Sequence, residues 1–338
     1  MGITGLRRSR LNGDSEFFGI IEAKQTRQIM NYRFSMAGRL LAAIAGTAAI
    51  ALTFSISPTL ALDPFRTENR HEIGDHTEAA FRTLFEQGNY QEALNKLQQA
   101  EQTEPNEPLV YAMQGALAYL DEDWDRLNDY ATRTRTTAES LLTENPLRGN
   151  LYLAVGHFLE GAYILSTEGT LRGVPQAMGK LREVFKHFDA AEKIEANDPE
   201  LNLIKGFMDL MLAVNLPFAN ADDAIARLEN YAAPSYLAYR GIALGYRDLE
   251  QMEQALSAVN RALEITPNNP ELFYLKGQIL VKKGNDQNNM ELLQQADSNF
   301  QTALAKAQDQ FPETLRRQLQ RERDRNVRKM QELAAASR

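Results

Sequence analysis

For chemistry this chain offers four histidines, no cysteine and scattered pairs of carboxylates among 338 residues. Without cysteine there is no disulfide, no thiolate metal ligand and no thiol nucleophile. His71 and His76, flanked by Glu72 and Asp75, are the nearest approach to a metal cluster. Their i, i+5 spacing turns the imidazoles to different faces of a helix, where shared ligation needs i+3 or i+4. They read as solvated polar residues. His157 stands alone on an otherwise apolar helix, the usual setting of a hydrogen-bonded core histidine. Asp121, Glu122 and Asp123, and again Asp222 and Asp223, fall at helix starts and turns, where negative charge meets the positive helix end. Gly173 to Leu181 imitates a phosphate-binding loop. It has five residues between its glycines instead of four, Leu181 in place of the magnesium-binding hydroxyl, and no preceding strand. No paired-acid, zinc-protease or serine-nucleophile pattern emerges. The expectation is a protein that is not an enzyme, with no cofactor and no metal.

The elements around these residues are amphipathic helices, and they repeat. Ala196-Asn-Asp-Pro-Glu-Leu with Lys205-Gly206 recurs as Pro267-Asn-Asn-Pro-Glu-Leu with Lys276-Gly277, 71 residues on. That is about two units of 34. Asn-Pro and Asp-Pro pairs end one helix and begin the next. A second motif runs small, large, small at i, i+4, i+7: Ala93-Leu97-Ala100, Ala255-Val259-Ala262 and Ala296-Phe300-Ala303. These share one helical face, where the small residues admit a neighbouring helix and the large one fills the space between.

With Gly88-Asn89-Tyr90 leading into Ala93-Leu94, the pattern resembles tetratricopeptide repeats of an exported bacterial type. First-helix anchors fall at Phe81, Gly115, Gly156, Gly206, Ala243 and Gly277. Their intervals predict about six units over residues 74–312, the inner ones carrying insertions. In the fourth unit Asn202 and Asp209 stand where large apolar residues belong. The resemblance implies an all-α fold: a right-handed superhelical solenoid of antiparallel helix pairs. Residues 313–338 read as one charged capping helix, since a terminal repeat needs a polar outer cover.

The resemblance also implies a scaffold that binds a protein or peptide on the concave face of its first helices. The Lys and Asn clamp of the chaperone-binding members does not carry over, since Glu78 and Arg82 stand there. Leu201–Val214 is instead apolar on every side and must be covered by something. Phe207, Met208 and Met211 are expected to offer a groove that adapts to a partner's apolar segment. Tyr119, His157, Arg240, Arg247 and Tyr274 are the expected rim, with Tyr and Arg typical of binding hot spots. The same apolar centre allows an alternative, a binding protein for a small apolar ligand or lipid.

Charge and the amino-terminal region set the expected setting. Residues 62–338 hold 30 basic against 42 acidic side chains, a body that repels nucleic acid and anionic membrane surfaces. Leu40–Ile56 runs without a charge, after Arg33 and Arg39 and before Ser57-Pro58 and Thr59-Leu60-Ala61. Basic flank, apolar run, breaker and small-residue ending read as a secretory signal over residues 30–61, followed by a linker, 62–73. Residues 1–29 read as an upstream extension, with Met30 as the expected start. The protein is accordingly expected to be exported to the periplasm or another extracytoplasmic compartment. No stable membrane span should remain after cleavage, whereas an uncleaved run would act as an anchor.

Overall fold

The computed structural model describes residues 63–215 and 220–336, together with Thr47 and Ala48. Apart from those two residues, the Leu40–Ile56 run and its flanks lie outside what is described, as does residues 1–29. Thr47–Ala48 runs parallel to Glu86–Gln87, and this short pairing is all the strand structure among the described residues.

Everything else regular is helical, in consecutive antiparallel pairs. The first pair is α1 (Asp75–Phe85) and α2 (Tyr90–Thr103), the second α3 (Pro108–Leu120) and α4 (Trp124–Leu141). Next comes α5 (Pro146–Ile194), which supplies both members of its pair by folding back at Gly169. It is followed by α6 (Pro199–Asn215) with α7 (Ala221–Asn230), α8 (Ser235–Asp248) with α9 (Met252–Ile265), and α10 (Pro270–Gln287) with α11 (Met290–Lys306). A last helix, α12 (Glu313–Ala336), lies on α11. The partners in each pair pack on each other, and first helices of successive pairs lie side by side. This is a helical-repeat solenoid.

Local sequence explains where the helices begin. Pro108, Pro146 and Pro270 occupy the first turn, where a missing N–H costs nothing. Side chains of Asn89, Asp123, Asn145, Asn269 and Asn289 accept hydrogen bonds from the first free backbone N–H groups. The reversal in α5 needs Gly169, whose φ of 70° and ψ of 178° fall where side chains are seldom tolerated. The arms it joins, 146–168 and 170–194, run antiparallel, with Glu160 beside Lys180 and Asn150 beside His187. The phosphate-loop imitation, Gly173–Leu181, lies inside the second arm and forms no loop.

The small-large-small faces are the core of the second helices. Ala93, Leu97 and Ala100, Ala255, Val259 and Ala262, and Ala296, Phe300 and Ala303 are all buried. Phe300 fills the space left by Gly277, where an added Cβ would stand 2.5 Å from its ring. Asn202 and Asp209 of the fourth unit do not break the pattern. Asn202 is buried with its amide on the Ala196 and Asp198 carbonyls and its oxygen receiving Arg227 at 2.6 Å. Asp209 receives Lys205 at 3.0 Å.

Residues 63–73 are packed rather than a free linker: Asp63, Phe65, Arg66 and Ile73 are buried, and Phe65 meets Phe81 edge-on. The first pair also touches the sixth. The Tyr90 N–H donates to the Gln310 carbonyl at 2.9 Å, its ring stands edge-on to Phe311, and its hydroxyl donates to Glu271.

Candidate functional site

Three first helices, α3, α6 and α10, begin with a glutamate (Glu107, Glu200 and Glu271), and the fold gathers these starts around buried arginines. Arg148, in the first turn of α5, is only 2% exposed. Two of its nitrogens donate to the Glu107 carboxylate at 2.8 Å each, a bidentate pair. Its Nε donates to Glu200 at 3.1 Å, and the Tyr152 hydroxyl donates to the same carboxylate at 2.5 Å. Arg66, from the entering segment, joins Glu200 to Asp198 and Asp63. Burial raises the Glu107 carboxyl against the pull of Arg148. At Glu200 burial pushes upward too, but Arg148 and Arg66 overcome it and bring its pKa down to about 2. Glu200 therefore stays charged in the interior because two guanidiniums face it.

A second knot ties α8 and α10 to the start of α2. Arg240 pairs with Glu271, which also accepts the Tyr90 hydroxyl. Burial dominates here and raises the Glu271 carboxyl to about 7, with Arg240 opposing it.

The residues expected at a binding face are distributed over this framework. Phe207 is 4% exposed and lies where a Cβ on Gly241 would fall, so it is wedged between α6 and α8. Met208 is buried beside it, while Met211 one turn on is half-buried. Arg247 is buried, with Asp248 at 2.8 Å and Gln278 of α10 at 2.7 Å. Tyr274 is close enough to act on the Arg247 charge, and its ring rests on Phe300. Arg240, Arg247 and Tyr274 thus share the α8–α10 junction. Tyr119 lies on α3 against Trp124. His157 lies on α5, with Nδ1 2.9 Å from Glu160 and its ring stacked on His187. The eight residues therefore fall on the layer of first helices but do not converge on one point.

The ionic knots were missed by sequence reasoning. Their only signal was the recurrent Pro-Glu at helix starts, shared by Glu200 and Glu271, which reads equally well as ordinary capping. Among the described residues no helix is long and apolar enough to cross a membrane.

Residues 244–284, the end of α8 through most of α10, match the family described as TPR repeat. No curated protein matches the chain. Repeats of this family typically mediate protein interactions and generally serve as non-catalytic scaffolds. The match falls on a stretch whose small-large-small face is buried as the repeat requires, within a body of consecutive antiparallel pairs, and the chain is accordingly a helical-repeat protein that is similar to tetratricopeptide repeats over residues 244–284.

Proposed function

We propose that this protein is a non-enzymatic scaffold that holds a protein or peptide along its layer of first helices, outside the cytoplasm. The observation that carries the reading is the continuous first-helix layer containing the TPR match, since such layers form the extended binding surface of repeat proteins. Met211, Leu212 and Val214 extend it with half-buried apolar side chains at the end of α6. Export rests on the Leu40–Ile56 run with its basic flank.

The test begins with the natively expressed protein, captured with what it holds and read by mass spectrometry. A mature chain starting near Leu62 is expected, and one retaining Met30 would overturn cleavage. The recovered partner is then titrated against Met211→Asp and Phe207→Asp. Met211→Asp should weaken binding about tenfold or more with little change in melting, because a half-buried side chain can turn its charge to water. Phe207→Asp should lose several kcal/mol of stability by burying an unpaired charge. Unchanged affinity in Met211→Asp would remove the groove from the proposal. Recovery of lipid in place of protein would favour the apolar-ligand reading.

A further inference from the structure

The hairpin within α5 creates a cluster that sequence spacing alone does not assemble. Glu183 and His187 stand at i, i+4 on the second arm and share one face. The fold brings His157 of the first arm onto that face, with the two imidazoles stacked at 5.7 Å between centroids and 20° between planes. One potential ligand atom from each of His157, Glu183 and His187 lies within 4.8 Å of the others. All three residues are partly open to solvent, so an ion could reach them.

We propose that His157, Glu183 and His187 bind a divalent transition-metal ion of the zinc class between the two arms of α5. Imidazole and carboxylate donors suit zinc, nickel and copper(II). Hydrogen bonding fixes which nitrogens remain for the metal. The Nδ1 of His157 lies 2.9 Å from Glu160, whose carboxylate can only accept, so that nitrogen carries the proton. Glu160 is itself held in place by Lys180, which donates to the same carboxylate at 2.6 Å. The Nδ1 of His187 faces the Asn150 oxygen at 3.0 Å, while the Asn150 amide donates to the Pro146 carbonyl at 2.8 Å. The Asn150 side chain is thereby oriented, and His187 must also donate from Nδ1. Both Nε2 atoms are left with a lone pair. A metal-binding histidine is held in this way, its other N–H donated to a carboxylate or carbonyl oxygen.

The surroundings keep the site ready rather than closed. Lys186 holds Glu183 at 2.6 Å on an exposed face and would be displaced on binding. Zinc ligands at ~2.0–2.1 Å stand ~3.4 Å apart in a tetrahedron, a spacing that the three donors, all within 4.8 Å of one another, reach by small side-chain adjustments. Three protein ligands leave one position for water or for a donor from a bound molecule. This site is independent of the partner proposal, and either can fail alone.

Cobalt(II) titrated into the metal-free, full-length protein at pH 7.5 is the test, read by its visible ligand-field absorption and by equilibrium dialysis. One ion per chain is expected, with a raised melting temperature. His157→Gln and His187→Gln should each weaken binding at least tenfold, and the double variant should lose the absorption while keeping its helical circular dichroism. Glu183→Gln should also weaken it, whereas His71→Ala with His76→Ala should not. Binding that survives the double variant, or no stoichiometric binding to the unmodified protein, would overturn the assignment.

Discussion

Arg148 shows at the residue scale why this body tolerates buried charge. Its guanidinium meets Glu107 through two hydrogen bonds and Glu200 through Nε and Nη2. Such a network need not add much net stability, since desolvation offsets most of the attraction. Breaking it is another matter, because the remaining carboxylates lose their counter-charge in the interior. Arg148→Met is therefore expected to cost about 3–5 kcal/mol in denaturant unfolding. The pH dependence gives a second readout. Glu200 has a depressed folded pKa of about 2, so its contribution is fully present above the ordinary carboxylate value of 4.5 and is lost as pH falls toward 2. Removing Arg148 raises the folded value, so the acid-induced loss should begin at higher pH. A variant with wild-type stability and an unmoved acid limb would show that the network is dispensable.

At the scale of elements, the terminal helix illustrates how an array ends. On α12, Leu319 is fully buried, the Asn326 amide donates to the Leu293 carbonyl at 2.8 Å, and Arg323 reaches Asp297 at 2.8 Å. Its remaining residues are mostly open to solvent, giving α11 a polar cover. Leu319→Asp should cost several kcal/mol, and deletion of 313–338 should lower the melting temperature by exposing the apolar side of α11. An unchanged melting temperature in the truncated protein would argue that α12 is an appended arm. The hairpin in α5 makes the opposite point. Only Gly169 marks it in the sequence, and a helical pattern runs through it on both sides. Its physical cause is a single positive φ, after which 170–194 returns along 146–168.

On the scale of the whole described body, the unexpected feature is that the first pair meets the sixth. In an open repeat array each unit touches only its neighbours, and stability spreads by nearest-neighbour coupling. Here Tyr90 is fully buried against Phe311, Gln310 and Glu271. Coupling should therefore bypass the intervening units. Phe311→Ala is expected to destabilise the protein by about 3–5 kcal/mol and to reduce amide-exchange protection in α1 and α2 as much as in α11. Loss of protection confined to α11 and α12 would show that the ends merely touch.

The repeat architecture is legible in the sequence because it is written in local rules. Proline at helix starts, Asn and Asp caps, and the small-large-small face each act within a few residues, and a 71-residue recurrence ties them into units. By themselves they determined an all-helical repeat fold and buried second-helix faces such as Ala296, Phe300 and Ala303. The rest depends on residues that are distant in the chain. Glu200 reads as an ordinary acidic helix start until the starts that carry Glu107 and Arg148 are placed beside it. Asn202 reads as a mismatch until Arg227 is seen opposite it. The same holds for histidine chemistry: spacing dismissed His71 with His76, while Glu183 and His187 already stood one turn apart. His157 joins them only because Gly169 reverses the helix, a contact across thirty residues that no helical period encodes. Local periodicity sets which face of a helix is buried. Tertiary packing decides which charges and ligands that face meets, because desolvation and pairing act across space and not along the chain.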